Sequence, residues 1–129
     1  YADKVLAAEN PSPEALATAL YINGTAAFDL EQTAKAAELF ENLVRIRRYG
    51  YVWYQLSLCR DRLGNHAGAL EAAEKAVEIT PQGPRLHDWL AELYERAGQK
   101  QKARASARRA AELAAAAEAT EHDQARFAD

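Results

Sequence analysis

Residues 50–83 read GYVWYQLSLCRDRLGNHAGALEAAEKAVEITPQG, and the fold is decided here. Leu63-Gly64-Asn65 ends one helix with a glycine able to take the left-handed cap conformation, and Thr80-Pro81-Gln82-Gly83-Pro84 stops a second one. The stretch is a helix, a turn and a helix. The same pattern occurs once before it, over residues 17–50, and once after it, over residues 84–117. Ala36, Ala69 and Ala103 correspond at spacings of 33 and 34 residues. Gly24, Ser57 and Ala91 correspond as well, all small, followed by Phe40, Ala73 and Ala107, then Leu43, Ala76 and Ala110, and finally Ile46, Ile79 and Leu113. Two helices of a pair that cross with axes about 8–10 Å apart need small side chains at the crossing point, which accounts for Gly24/Ser57/Ala91 on the first helix and Ala36/Ala69/Ala103 on the second.

In this register the chain resembles the tetratricopeptide repeat, a helix-turn-helix unit of about 34 residues. The middle copy carries most of the likeness, with the family's Trp, Leu, small, Ala, Ala and Pro positions on Trp53, Leu56, Ser57, Ala69, Ala76 and Pro81, and its inter-helix Gly on Gly64. The third copy keeps Leu90, Ala91, Tyr94, Gly98, Ala103 and Ala110, but has His87 in place of the Trp and no closing Pro. The first keeps Gly24, Ala36 and Phe40, with Asn23 at the Leu position and Ala27 at the Tyr position. The resemblance implies an all-α, right-handed superhelical solenoid, a single domain over 1–129. It has repeats at about 17–50, 50–83 and 84–117, an N-terminal flank 1–16 and a C-terminal helical extension 118–129.

Composition agrees. Alanine, the strongest helix former, occurs 30 times, against six glycines and four prolines. With 49% hydrophobic and 27% charged residues the chain is too apolar for disorder, and a net charge of -3 excludes nucleic-acid binding driven by net charge. No run approaches the length of a membrane span. Ser12 followed by Pro13 marks a helix start. The expected helices are 13–30, 33–48, 51–63, 67–79, 84–97 and 100 to about 119, with fraying over 120–129. The opening YADKVLAAENP, without methionine, reads as the start of a fragment or of a processed product, and Leu6 and Pro11 are spaced like the end of a preceding second helix. A lone thiol, Cys59, fits the cytosol, the favoured compartment, and equally a bacterial periplasm.

Chemistry is hard to find in this chain. His66, His87 and His122 stand singly at turn, core and tail positions, with no ligand at metal spacing, so neither metal nor cofactor is expected. Cys59 falls on a core-facing position, where cysteine packs as a small hydrophobe. Carboxylates such as Glu71/Glu74 and Glu92/Glu95 are helical neighbours on a solvated face. There is no nucleophile elbow, phosphate loop or dinucleotide fingerprint, and no catalysis is expected. Two basic clusters, Arg45/Arg47/Arg48 and Lys100/Lys102/Arg104/Arg108/Arg109, lie on second helices and read as solvated surface rather than a phosphate-binding patch.

By the resemblance, the first helices line the concave side of the solenoid. The residues pointing into it are Thr18, Tyr21, Thr25 and Phe28, then Tyr51, Tyr54, Leu58 and Asp61, then Arg85, Asp88, Glu92 and Glu95, with Gln55, Arg62, Trp89 and Arg96 beside them. Such spacing makes one stripe per helix, aromatic at one end and charged at the other. Tyr, Trp and Arg are the residue types enriched at binding hot spots. The expected function is a non-catalytic protein–protein interaction module that holds a peptide or amphipathic helix of another protein, with Tyr21, Thr25, Phe28, Tyr51, Tyr54, Gln55, Leu58, Arg62, Arg85, Asp88, Trp89 and Glu92 as its binding residues. A regulatory or substrate-recruiting arm of a larger enzyme is one alternative, and a scaffold self-assembling through the alanine-rich last helix is another. The carboxylate clamp by which some members hold acidic chaperone tails is not expected, because Tyr21, Thr25, Gln55, Arg85 and Trp89 stand at its positions and only Arg85 keeps the charge.

Overall fold

The computed structural model describes residues 12–128, with side chains to 121. Six helices follow one another: α1 (Pro13–Asp29), α2 (Thr33–Ile46), α3 (Gly50–Arg62), α4 (His66–Ile79), α5 (Pro84–Arg96) and α6 (Lys100–Ala128). Five agree with the sequence reading to within two residues. Helix α6 does not stop near residue 119 but continues unbroken for 29 residues. The reason is local, since no glycine or proline follows Gly98 and the segment is built from strong helix formers. The suggested tail of a preceding repeat, around Leu6 and Pro11, lies outside the described residues.

Two helix starts carry a side-chain cap. The Ser12 side chain accepts the Ala15 N–H at 3.1 Å, with Pro13 at the first helical position. Asn65 does the same for α4, accepting from the Gly68 N–H at 3.0 Å. The turns inside the three pairs are copies of one another. In each, an N–H reaches back five residues to a carbonyl, Gln32 to Ala27 (2.8 Å), Asn65 to Arg60 (2.9 Å) and Gln99 to Tyr94 (2.9 Å). This closure needs a left-handed residue just before the donor. Gly64 (φ 84°) and Gly98 (φ 78°) supply it in the second and third pairs, whereas in the first the position falls on Glu31 (φ 63°). The backbone hydrogen bonds of the turn, Glu31 N–H to Phe28 and Gln32 N–H to Ala27, hold exposed Glu31 in a conformation that its side chain disfavours.

Packing runs mainly along the chain, each helix resting chiefly on the one before and the one after, as in an open stack rather than a closed bundle. Within a pair the approach is close: a Cβ added at Gly24 would stand 2.8 Å from the Phe40 ring. In the second pair Ala69 is fully buried beside Ser57, whose hydroxyl donates to the Ala69 carbonyl at 2.6 Å. Phe40, Leu43, Val52, Leu56 and Cys59 fill the core of the first three helices, and Ala69, Ala73, Leu90, Leu93, Tyr94 and Ala103 that of the last three.

The Glu31 turn yields a paired expectation. Glu31→Gly removes a left-handed penalty of roughly 1–2 kcal/mol and adds unfolded-state freedom worth about 0.4–1 kcal/mol. Its melting temperature therefore rises, by a net gain of a few tenths to about 1 kcal/mol. Gly64→Ala moves the other way by on the order of 1 kcal/mol. Calorimetry of the two variants checks this, and a destabilised Glu31→Gly would contradict the shared turn geometry.

Candidate interaction face of the first helices

Helices α1, α3 and α5 lie side by side, and three contacts stitch them together. The Arg62 guanidinium sits 4.2 Å above the centre of the Phe28 ring, joining α3 to α1. Arg96 of α5 donates to both carboxylate oxygens of Asp61 at 3.0 Å and also to Glu92 at 2.8 Å. The Trp89 indole N–H donates to the Ser57 hydroxyl at 2.7 Å, and Arg96 stacks 5.5 Å from the Trp89 ring centre. Several side chains of the expected stripe are therefore engaged with one another across α1, α3 and α5.

The sequence-selected residues fall into three groups. Tyr21 and Tyr51 are the most open aromatics of the selected set, 51% and 46% exposed. Thr25, Phe28, Tyr54, Gln55, Leu58 and Trp89 are half-buried along the row, and Tyr51 and Tyr54 meet edge to face at 6.4 Å. Arg62, Arg85, Asp88 and Glu92 are exposed. At the charged end Asp61, Arg96 and Glu92 neutralise one another, and His66 Nδ1 adds a contact to Asp61 at 2.9 Å. Partial burial works against the Asp61 carboxylate, yet the hydrogen bonds from Arg96 and His66 outweigh it and hold the group below the ordinary aspartate range.

One region of the face escaped the sequence reading. A cavity of about 620 Å³ opens between the first two pairs, where the start of α1, the end of α2 and the start of α3 meet. Tyr21 and Tyr51 line it, joined by Tyr49, Arg47 and Arg48 from the segment between α2 and α3. Arg47 and Arg48 were expected on the solvated outer face. Helix α2 ends two residues earlier than expected, at Ile46, and the extended backbone at Arg47 carries them to the cavity instead. The available signal was the run Arg47-Arg48-Tyr49-Gly50-Tyr51, with an aromatic residue in a connection that has no core to fill. The second basic cluster, on α6, is exposed, with Arg109 paired to Glu112 and Lys102 over Tyr94.

Elsewhere the polar groups are structural. Cys59 is fully buried, and burial pushes its thiol up to about 11. His87 is buried, and its Nε2 donates to the Pro81 carbonyl at 2.7 Å. Burial, reinforced by the hydrogen bond to Glu74, raises the Tyr94 phenol to about 12. Among the described residues no cluster of His, Cys, Asp and Glu could hold a metal, and no helix is long and apolar enough to cross a membrane.

This chain belongs to the tetratricopeptide repeat family, with family models described as Tetratricopeptide repeat matching residues 50–82 and 84–116. Its structure is similar to that of MamA, at 28% identity and a TM-score of 0.71 over 85% of this chain and 61% of the other. It is also similar to MamA 41-end from Desulfovibrio magneticus RS-1, at 22% identity and a TM-score of 0.72 over 78% of this chain and 58% of that one. A third likeness is to PcrH in complex with the chaperone binding region of PopB, at 25% identity and a TM-score of 0.72 over 78% of this chain and 82% of that one. The chain thus spans less than two thirds of the length of the two MamA chains. No curated protein matches it. The family and the fold together make it a protein-interaction module in class.

The Asp61 contacts carry a pH signature. A carboxylate whose folded pKa is depressed adds stability above its unfolded pKa, about 3.9, and loses it as pH falls through the lower folded value. With Arg96 half exposed the contribution is on the order of 0.2–1 kcal/mol. Asp61→Asn should therefore unfold more readily than the parent at pH 6, with the difference vanishing in strong acid. Urea titrations at several pH values check this, and a pH-independent difference would contradict it.

Proposed function

We propose that the row formed by α1, α3 and α5 is the hollow side of the solenoid and holds a polypeptide segment of a partner protein, with no chemistry of its own. The observation that supports this best is the unbroken run of half-buried and exposed aromatic and aliphatic side chains from Tyr21 through Tyr51 and Tyr54 to Leu58. The Phe28–Arg62 and Trp89–Ser57 contacts hold the row in place. Contiguous apolar surface of this kind marks interaction sites on monomers. Rigid aromatic rings supply contact area at little cost in conformational entropy. The PcrH–PopB complex, in which a related fold holds a segment of another protein, is consistent with the same use here. The charged end, Arg85, Asp88 and Glu92, would set the direction of the bound chain, since charge arrangement fixes register more than affinity.

A photo-crosslinking amino acid placed at Tyr54, on the row, and at Glu78, on the second helices, distinguishes this face from the rest without removing any buried contact. In an extract of the cells that encode the protein, position 54 should yield polypeptide adducts many-fold above position 78. Equal yields at the two positions, or none at 54, would overturn the reading.

A further inference from the structure

We propose that the cavity between the first two helix pairs is the anchor of this interaction face, and that it takes a bulky apolar side chain of a partner polypeptide whose neighbouring residue is acidic. The proposal rests on the reading of the row as a polypeptide-binding face and assigns its decisive contact.

The floor of the cavity is apolar and built from the core itself, with Ala17, Leu43 and Val52 each at most 8% exposed. Its mouth is ringed by Tyr21, Tyr49 and Tyr51, and these three are half of all the large hydrophobic residues left exposed among the described residues. Three phenol rings around an apolar floor leave a concave surface with much area to lose to a ligand and few polar groups to satisfy. The rings are not loose. Tyr51 packs edge-on against Tyr54, and its hydroxyl lies so close to Gly83 that a Cβ there would stand 2.9 Å away. A cavity of about 620 Å³ exceeds what one side chain needs, so the segment bearing that side chain has room to pass through.

Charge names the second element. Arg47 is already engaged, 3.5 Å from Glu14, and Glu14 has no other ion pair among the described residues. Arg48, on the same rim, is exposed and makes no ion pair among the described residues. The rim thus presents one unneutralised guanidinium beside an apolar pocket, which complements a carboxylate adjacent to the seated side chain. At the opposite end of the row Asp61, Arg96 and Glu92 satisfy each other, while Arg85 and Asp88 are exposed. A ligand charge at that trio would first have to break existing pairs, whereas at Arg48 it adds one beside an apolar floor. The occupant is a polypeptide rather than a free small molecule because the cavity is continuous, through Tyr51 and Tyr54, with the row toward Leu58.

The experiment is selection of a displayed library of random dodecapeptides on the full chain and, in parallel, on Arg48→Glu, a substitution at an exposed residue. Peptides enriched on the parent should share a large apolar residue next to Asp or Glu, and should bind Arg48→Glu roughly tenfold more weakly or worse. Changing their acidic residue to Lys should restore binding to that variant. Tyr21→Ser, also at an exposed position, should weaken them similarly. Identical enrichment on parent and Arg48→Glu overturns the proposal. If those peptides instead lose binding on Arg85→Glu and still crosslink at position 54, the row reading survives and only the anchor is lost. Binding that strengthens on Leu6→Ser would give the cavity to residues 1–11 of the same chain, and a concentration-dependent mass abolished by Arg48→Glu would give it to a second copy. Either result contradicts a partner polypeptide.

Discussion

The hydroxyl of Ser57 is where three helices of two successive pairs meet. It donates to the Ala69 carbonyl across the crossing of α3 and α4, and accepts the indole N–H of Trp89 from α5. A hydroxyl is small enough to permit the close crossing and polar enough to need partners once buried, so one atom enforces both the pair geometry and the stacking of the next pair. In the first pair the same close approach is made by Gly24 against Phe40, with no hydroxyl, and the stitch to α3 is instead the Arg62–Phe28 contact. Curvature and the alignment of the first helices follow from these contacts, and so does the row of side chains they present.

Because helices pack chiefly on their sequence neighbours, with α1, α3 and α5 joined by a few side-chain contacts, the ends of the row differ in what they have left to offer. Toward α5, charges close on each other and the indole of Trp89 is committed to Ser57. Toward α1, tyrosines surround an open cavity whose floor is the core. An interaction face with one satisfied and one unsatisfied end gives a bound segment a preferred anchoring point, and it separates residues that hold the face from residues that meet a ligand. Phe28, Arg62, Trp89 and Glu92 belong largely to the holding set by their contacts, although residue type alone would place Arg62 and Trp89 among binding hot spots.

Much of the fold was legible because it is periodic. Gly64 and Gly98, Pro81, and the small residues at Ser57 and Ala69 each mark a turn, a break or a crossing, and recurrence of the whole set fixes the register. What could not be read was set by single backbone torsions and by tertiary pairing. Glu31 occupies a glycine's place in the first turn, and a sequence gives no sign that this residue will take the left-handed torsion there. The early end of α2 at Ile46, with extended backbone at Arg47, swings Arg47 and Arg48 to the cavity, a change that residue type does not announce. Likewise, Asp61, Arg96 and Glu92 look like available charges in the stripe until the distances between α3 and α5 are known. The length of α6 follows from missing breakers and was underestimated.

The most direct measurement is a double-mutant cycle between Ser57→Ala and Trp89→Phe, read by chemical denaturation. If the hydroxyl links successive pairs as described, the two substitutions couple by about 0.5–3 kcal/mol, as expected for directly bonded neighbours. Strictly additive effects would mean that α5 is placed by something else, and the account of how the face is built would fail.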